Sequence, residues 1–183
     1  VSANLLYPVY QALTGSSIYQ KQSFLIGKIN QKIASQLFSA IDDPLIPSGP
    51  GSRYFDDEGI AAVKRPIIEN GILKSYYIDN YYGKKLGMKP NSGSSSNVIC
   101  STGNKNLKEL IGSVKKGILI TGFIGGNCNG STGDFSYGIE GFYIENGGLI
   151  HPVNEMNITG NMNSFWFNLA DLGNDFRESD SLR

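Results

Sequence analysis

The chain has 183 residues, of which 40% are hydrophobic and 17% charged, and its 16 basic and 16 acidic side chains cancel. This length fits one domain with a real core, and the composition excludes a disordered chain. The longest apolar runs, such as 117–124, are far shorter than the roughly 20 residues that cross a bilayer, so we expect no membrane partner. Without a basic excess, we also expect no nucleic-acid partner.

The first 52 residues contain two stretches whose apolar side chains recur at helical spacing. Residues 4–13 and 24–35 therefore predict amphipathic helices, the first weakened by Pro8 unless that residue lies in the first turn. Residues 37–41 fit a short strand. A loop with three prolines and two glycines follows at 42–52.

The next predicted element is a hairpin centred on Asn70 and Gly71, because Asn-Gly favours the two-residue turn between antiparallel strands. The hairpin joins a predicted strand at 60–69 to a predicted strand at 72–79. Pro66 places the first of these strands at a sheet edge or at a strand start, since proline cannot donate to a ladder. The lysines within 84–89 are interpreted as part of a solvated loop.

The second half of the chain predicts, in order, a helix, a strand, a long hairpin and a final helix. These elements cover residues 106–116, 117–124, 132–161 and 164–170. Asn106 would cap the first helix, and the hairpin would turn at Asn146 and Gly147. The elements together predict an α+β, β-rich fold, with a mostly antiparallel or barrel-like sheet and several flanking helices.

The histidine and cysteine content limits the chemistry of the chain. His151 is the single histidine, so the chain cannot build a two-histidine metal site or a histidine relay from its own residues. Cys128 as a nucleophile would need that same histidine. Cys100 and Cys128 lack CxxC spacing and are interpreted as buried or half-buried thiols in a reducing compartment, with a disulfide left open.

Two polar runs could bind ligands but are better explained by turns. Asp56, Asp57 and Glu58 could offer oxygen ligands to a hard cation, but their adjacent spacing favours a turn whose carboxylate accepts backbone N–H bonds. The glycine-rich run 125–133 is followed by Asp134, where a phosphate-binding loop needs lysine. We interpret this run as a strand connection that two backbones or a peptide can approach closely.

The aromatic run Phe165, Trp166 and Phe167 is interpreted mainly as core. Adjacent residues on a helix cannot all face one way, so one of the three is expected to meet a neighbouring element or subunit.

Several segments match the TldD/PmbA family in family order. They are SFL at 23–25, DDP at 42–44, FDDEG at 55–59, IIENGILKSYYIDNYYGKKLG at 67–87, TGDFSYGIEGFYIENG at 132–147, HPVNEMNITGN at 151–161 and LGNDF at 172–176. Over nearly all of its length the chain resembles the carboxy-terminal half of this family, and specifically its TldE/PmbA branch.

The resemblance implies a cytoplasmic zinc metalloprotease system that degrades or trims peptides, also known by an older label as a modulator of DNA gyrase. It implies that the TldD branch supplies zinc through a histidine-glutamate-histidine motif in its amino-terminal half and a cysteine near its carboxy terminus. The TldE branch lacks this set and forms a heterodimer with it. Here the histidine motif is absent and no cysteine follows Cys128, so no catalytic or metal-binding residue is carried over.

We therefore expect residues 1–183 to form the carboxy-terminal domain of such a subunit. The chain starts at Val1 without methionine and stops at Arg183, so we expect a fragment whose amino-terminal domain is absent. Its expected partners are a TldD-like subunit or a second copy, together with an unfolded peptide, and zinc is expected in the partner subunit. Peptidase activity would arise only in the assembly. The alternative is a non-enzymatic regulatory or scaffold module of the gyrase-modulator type.

The expected functional residues border the start of the long hairpin. Extended peptides are commonly held by strand addition, in which backbone bonds give affinity with little sequence preference. We expect Thr132, Gly133, Asp134 and Phe135 to line the peptide path or a subunit interface, and Trp166 to do the same from the aromatic run.

Overall fold

Two antiparallel sheets with flanking helices form the part of the chain that the computed structural model describes, residues 2–175. In chain order the elements are α1 (Ser2–Ala12), α2 (Gly15–Tyr19), β1 (Ala40–Asp42), β2 (Arg65–Glu69), β3 (Ile72–Leu73), α3 (Asn80–Leu86), β4 (Val98–Cys100), α4 (Leu107–Ser113), β5 (Lys116–Cys128), β6 (Asp134–Glu145), β7 (Gly148–Asn161), α5 (Met162–Phe165) and a 3₁₀ turn (Trp166–Asn168). The predicted α+β class is confirmed. Both sheets are open, so the barrel-like form of the prediction is wrong.

The first sheet has four strands in the order β3-β2-β1-β4. Asn70 and Gly71 turn its β2–β3 hairpin with φ values of 48° and 77°, as the dipeptide predicts. Pro66 is the second residue of β2 and lies opposite Ile41. Because β2 lies between β1 and β3, Pro66 marks a strand start and not a sheet edge.

The second sheet has three strands in the order β5-β6-β7, and it contains the predicted long hairpin. Asn146 and Gly147 both have positive φ, 48° and 78°, which suits a two-residue hairpin turn. The first half of β6 alternates strictly: Phe135, Tyr137 and Ile139 are buried, and the residues between them are more exposed. This alternation joins one face of the hairpin to the core.

The hydrophobic core lies between α1, the β2–β3 hairpin and the first half of β6. Its most deeply buried members are Leu13, Leu25, Ile67, Ile68, Leu73, Ile78 and Met162. Leu13 continues the apolar stripe predicted for the first helix, and Pro8 lies inside that helix rather than in its first turn.

The helix predicted at 24–35 is wrong, because this segment forms successive turns. Gly27 and Asn30 adopt positive φ, 72° and 62°, which an α-helix does not allow. Backbone N–H groups of the segment pair instead with the β2–β3 hairpin, for example Asn30 with Leu73 O at 2.7 Å. The later turns of the segment are bonded to that hairpin, whereas the first turn is bonded to Gly130 and Tyr76.

Helix α3 was not predicted, and its last turn contains Lys84 and Lys85 of the expected lysine-containing loop. Asp79 caps its first turn by accepting from Tyr82 N at 2.6 Å, and Gly87 ends it in the left-handed conformation. The predicted strand 72–79 ends early, at Leu73, and residues 74–79 form no continuous strand before α3.

The remaining predictions are correct in type and shifted at their ends. The strand predicted at 37–41 runs from Ala40 to Asp42. Helix α4 has the predicted Asn106 cap, completed as a capping box by Glu109, but it stops at Ser113 because Lys116 already begins β5. The final helix begins earlier than predicted, as α5, and tightens into a 3₁₀ turn.

Candidate peptide-path and interface site

Asn129 organises the connection between β5 and β6. Its side-chain oxygen accepts from the backbone N–H groups of Ser131, at 2.9 Å, and Thr132, at 3.3 Å. Its own N–H donates to Asp134 O, and its carbonyl accepts from Gly133 N, both at 2.7 Å. The end of the glycine-rich run, residues 129–133, is therefore a closed turn held by hydrogen bonds to Asn129.

Gly133 is the position in this turn that needs glycine. Its φ is +84°, and a Cβ there would lie 3.2 Å from the Phe24 ring and 3.3 Å from Asn163 Nδ2. The neighbouring Gly130 carbonyl accepts from Phe24 N at 2.8 Å, and the Gly133 carbonyl accepts from Met162 N at 2.8 Å. The turn is thus fixed to two other parts of the chain.

A polar cluster lies on the exposed side of this turn, and it consists of Lys28, Thr132, Asp134, Asn161 and Asn163. Thr132 Oγ1 donates to Asp134 Oδ2 at 2.7 Å, and Asn161 Nδ2 donates to Asp134 Oδ1 at 2.7 Å. Asn161 Nδ2 also lies 2.9 Å from Thr132 O. Lys28 Nζ donates to Asn163 Oδ1 at 2.6 Å. The cluster is therefore one hydrogen-bonded unit drawn from three segments.

The carboxylate of Asp134 is held in its ionised form. Hydrogen bonds from the Thr132 hydroxyl and then the Asn161 amide lower the pKa of Asp134 below its ordinary value. A carboxylate whose two oxygens are both occupied and whose pKa is lowered is a poor general base near neutral pH. The cluster is therefore poorly suited to proton transfer.

Phe135 and Trp166 lie on the core side of the site. Phe135 is buried and meets Phe165 edge to face, with ring centroids 5.6 Å apart. Trp166 contacts Phe165 in the same way at 5.4 Å and stacks on Phe38 at 5.0 Å. The structure thus brings Thr132 and Asp134 to the surface and buries Gly133 and Phe135 beneath them. Trp166 meets a neighbouring segment, as expected for one member of its run.

The nitrogen and sulfur donors of the chain do not fit a zinc site. His151 is exposed on β7 and stacks on Tyr143 with centroids 5.4 Å apart. Cys100 and Cys128 are free and half-buried, and burial raises the pKa of both thiols. Within residues 2–175 no group of three His, Cys, Asp or Glu side chains could hold a metal ion.

The acidic run before Gly59 forms the predicted turn. Asp56 Oδ1 accepts from the backbone N–H groups of Glu58, at 3.0 Å, and Ile60, at 2.8 Å. Glu58 Oε2 instead accepts from Asn80 N at 2.8 Å, so the two carboxylates bind different backbone groups and do not converge on one point.

Sequence reasoning missed Lys28, Asn161 and Asn163. Asn161 and Asn163 lie in a segment with several asparagines, whose only signal is the preference of asparagine for capping a helix. Asn161 does cap α5 by accepting from Asn163 N at 2.9 Å. Lys28 lies in the segment that was wrongly predicted as a helix, so its neighbours could not be anticipated.

No helix among residues 2–175 is both long and apolar enough to cross a membrane.

Comparison with known proteins gives the same family as the sequence motifs. The family model described as PmbA/TldA metallopeptidase C-terminal domain matches residues 1–183. The chain belongs to this family. The metalloprotease PmbA homolog of Buchnera aphidicola is 32% identical over 176 residues, which cover 94% of the chain and 39% of that relative.

Two solved structures share the fold of this family member. A candidate modulator of DNA gyrase from Bacteroides thetaiotaomicron is 53% identical, with a TM-score of 0.93, over 95% of the chain and 40% of that protein. TldE from Thermococcus kodakarensis is 27% identical, with a TM-score of 0.84, over 93% of the chain and 42% of that protein. The PmbA/TldA family chain therefore spans about two fifths of the length of these relatives.

Proposed function

We propose that this chain is the carboxy-terminal domain of a TldE/PmbA-like subunit in a zinc metalloprotease complex that processes or degrades peptides. In this proposal the domain frames the peptide chamber and the subunit interface in the cytoplasm. Zinc is held by a TldD-like partner in a heterodimer, and the amino-terminal domain of the subunit lies outside the chain.

The observation that carries this proposal is the combination of a metallopeptidase family with a donor set that does not fit zinc. The family model covers residues 1–183, yet the single histidine, His151, is exposed on β7. Cys100 and Cys128 are half-buried thiols whose pKa burial raises, which disfavours the thiolate that binds metal. Hydrolysis by the complex then depends on a metal-binding partner.

The polar cluster supports a role in holding the peptide. Its members are linked by short hydrogen bonds, so the turn at 129–133 is ordered before a ligand arrives and little entropy is lost on binding. Because β6 lies between β5 and β7, the turn offers no free strand edge, and an extended peptide would contact the exposed polar side chains of the cluster. We propose that Thr132 and Asp134 border the peptide path or a subunit interface, with Gly133, Phe135 and Trp166 on the core side of this surface.

The alternative is a non-enzymatic regulatory module. The Bacteroides protein that is 53% identical over most of the chain is named as a candidate modulator of DNA gyrase. A regulator would bind its target without hydrolysing peptides in any combination of subunits.

One experiment separates these two functions. The purified full-length protein is incubated with unfolded peptides alone, and then with a TldD-type subunit from the same organism plus zinc. Cleavage only in the mixture supports the proposed function. A stable complex without cleavage, or no complex at all, favours the regulatory module. Metal-dependent cleavage by the protein alone would contradict the assignment to a non-catalytic subunit.

The proposed peptide path has its own test in the assembled complex. Thr132→Val and Asp134→Asn together remove hydroxyl and carboxylate contacts from the exposed side of the turn. We expect slower peptide cleavage with unchanged complex formation. The double variant Ser113→Ala/Lys108→Ala, on the remote helix α4, serves as the control. Unchanged cleavage by the Thr132/Asp134 variant would remove this turn from the peptide path.

A further inference from the structure

The loop at 54–62, which contains the FDDEG motif, exposes two aromatic side chains. Tyr54 is 83% exposed and Phe55 is 66% exposed, and Leu45 and Val63 beside this loop are also exposed. Large aromatic side chains are enriched at the centres of protein interfaces. The proposed peptide path does not account for two exposed aromatic side chains on this one loop.

Hydrogen bonds fix the shape of this loop from within. Asp56 N donates to Ile60 O at 3.0 Å, and Ala62 N donates to Tyr54 O at 2.9 Å. The carboxylate of Asp56 closes the turn by accepting from two backbone N–H groups, as described above. The loop is therefore a small closed hairpin whose aromatic side chains project from an ordered backbone.

Three side-chain contacts also brace the loop against other parts of the domain. Arg53 Nη2 donates to the carbonyl of Ser94 at 2.8 Å. Glu58 accepts from the first backbone N–H of α3. Lys64 pairs with Asp43 at 2.9 Å, just beyond the other end of the loop.

This bracing lowers the cost of binding at the loop. A flexible segment loses conformational entropy when it docks, whereas a braced one has already lost it during folding. Aromatic residues that are rigid and exposed before binding are suited to act as anchors, because truncating such anchors removes much of the binding energy of an interface. The loop therefore has the properties of a preformed docking element.

The charge of the loop indicates what it would dock against. Asp57 is exposed beside Phe55 and forms no ion pair within residues 2–175, whereas Lys64 and Arg53 are engaged with the domain itself. The outward charge next to the aromatic pair is thus negative. Its complement is an apolar pocket with lysine or arginine at the rim.

We propose that the 54–62 loop docks on the partner subunit, inserting Tyr54 and Phe55 into an apolar pocket that is rimmed by basic side chains. This inference rests on the proposed function, since it assigns a surface of this chain to the heterodimer. The 54–62 loop is separate in sequence from the polar cluster around Asp134.

The test measures the affinity of the full-length protein for a TldD-type subunit by isothermal titration calorimetry. Tyr54→Ser/Phe55→Ser is expected to raise Kd roughly tenfold or more. Tyr7→Ser is the matched control, since Tyr7 is 57% exposed on α1, and it is expected to change Kd less than about twofold. Asp57→Asn is expected to reduce the salt dependence of Kd.

Each other outcome overturns the inference in a recognisable way. If the wild-type protein binds the subunit and the double variant binds equally well, the docking role of the loop is wrong while the proposed function stands. If the wild-type protein forms no complex with the subunit, the docking role of the loop and the proposed function are both wrong. A double variant that loses only self-association assigns the loop to a second copy. A double variant whose Tm falls without a change in Kd assigns the loop to packing within its own polypeptide.

Discussion

Asn161 and Asp134 face each other across β6 and β7, and the Asn161 amide donates to the Asp134 carboxylate at 2.7 Å. The same amide nitrogen lies 2.9 Å from Thr132 O, and the side-chain oxygen of Asn161 accepts from Asn163 N at 2.9 Å. One side chain thereby joins the β5–β6 turn, the end of β7 and the start of α5.

Replacing Asn161 with alanine should destabilise the protein. The change removes the cap of α5 and leaves Thr132 O and Asp134 with fewer donors, and loss of the cap alone costs about 1 kcal/mol. Urea unfolding measures this as a lower midpoint with an unchanged slope. Asn157→Ala, at an exposed position of the same strand, is the control and should stay within about 0.5 kcal/mol. Equal effects of both variants would contradict the joining role of Asn161.

Gly133→Ala and Gly112→Ala should have opposite effects on stability. Alanine at position 133 would have to adopt a left-handed backbone conformation, and its Cβ would crowd the Phe24 ring. We expect this to lower the free energy of unfolding by about 1–3 kcal/mol. Alanine at 112 lies within α4 and meets nothing within 4 Å, so it should stabilise by up to about 1 kcal/mol. Thermal unfolding of the two variants checks the signs. A neutral Gly133→Ala would show that the turn can relax.

The contribution of Asp134 to stability should disappear in acid. Its folded pKa is lowered, so the unfolded state takes up its proton first and the stabilisation is complete above the unfolded pKa of about 3.9. The stabilisation is then lost as pH falls through the lower folded pKa. Urea unfolding of wild type and Asp134→Asn from about pH 7 to about pH 3 should show a difference that shrinks in acid. A difference that grows in acid would contradict the lowered pKa.

Tyr76 and Tyr77 should respond differently to the loss of their hydroxyl groups. Tyr76 Oη donates to Leu25 O at 2.5 Å, whereas the buried Tyr77 Oη has no hydrogen-bond partner within residues 2–175. We expect Tyr76→Phe to cost about 1 kcal/mol, because it leaves a carbonyl unsatisfied, and Tyr77→Phe to be neutral or stabilising. Chemical denaturation of both variants is the measurement. A larger loss for Tyr77→Phe would reveal a partner for its hydroxyl.

Local chemistry made the hairpin turns and the Asn106 helix cap predictable. The Asn-Gly pairs require positive φ at both turn residues, and asparagine at 106 caps a helix within its own first turn. Helix α3 carried similar signals in Asp79 and Gly87, but its lysines are equally typical of a solvated loop. The helix predicted at 24–35 was wrong because the N–H groups of Asn30 and Ile33 bond to Leu73 and Gly71 and not within a helical backbone.

The register of the long hairpin shows where prediction from the sequence stops. Counting outward from the turn, a continuous ladder would place Asp134 opposite Thr159. In the structure Thr159 faces Ser136, and Asp134 faces Asn161, because irregularities in the ladder add residues on the β7 side. The Asn161–Asp134 contact therefore depends on bulges that no turn signal specifies.

The sequence by itself determined the family, the α+β class, the hairpin turns and the lack of a second histidine, because these depend on residue identity or on neighbours along the chain. Only the tertiary structure decided which polar groups meet around Asp134, that His151 is exposed, and that the FDDEG turn presents Tyr54 and Phe55. These features depend on strand register and on contacts between distant segments, such as Lys28 with Asn163 and Arg53 with Ser94. Such contacts are selected by the packing of the whole domain.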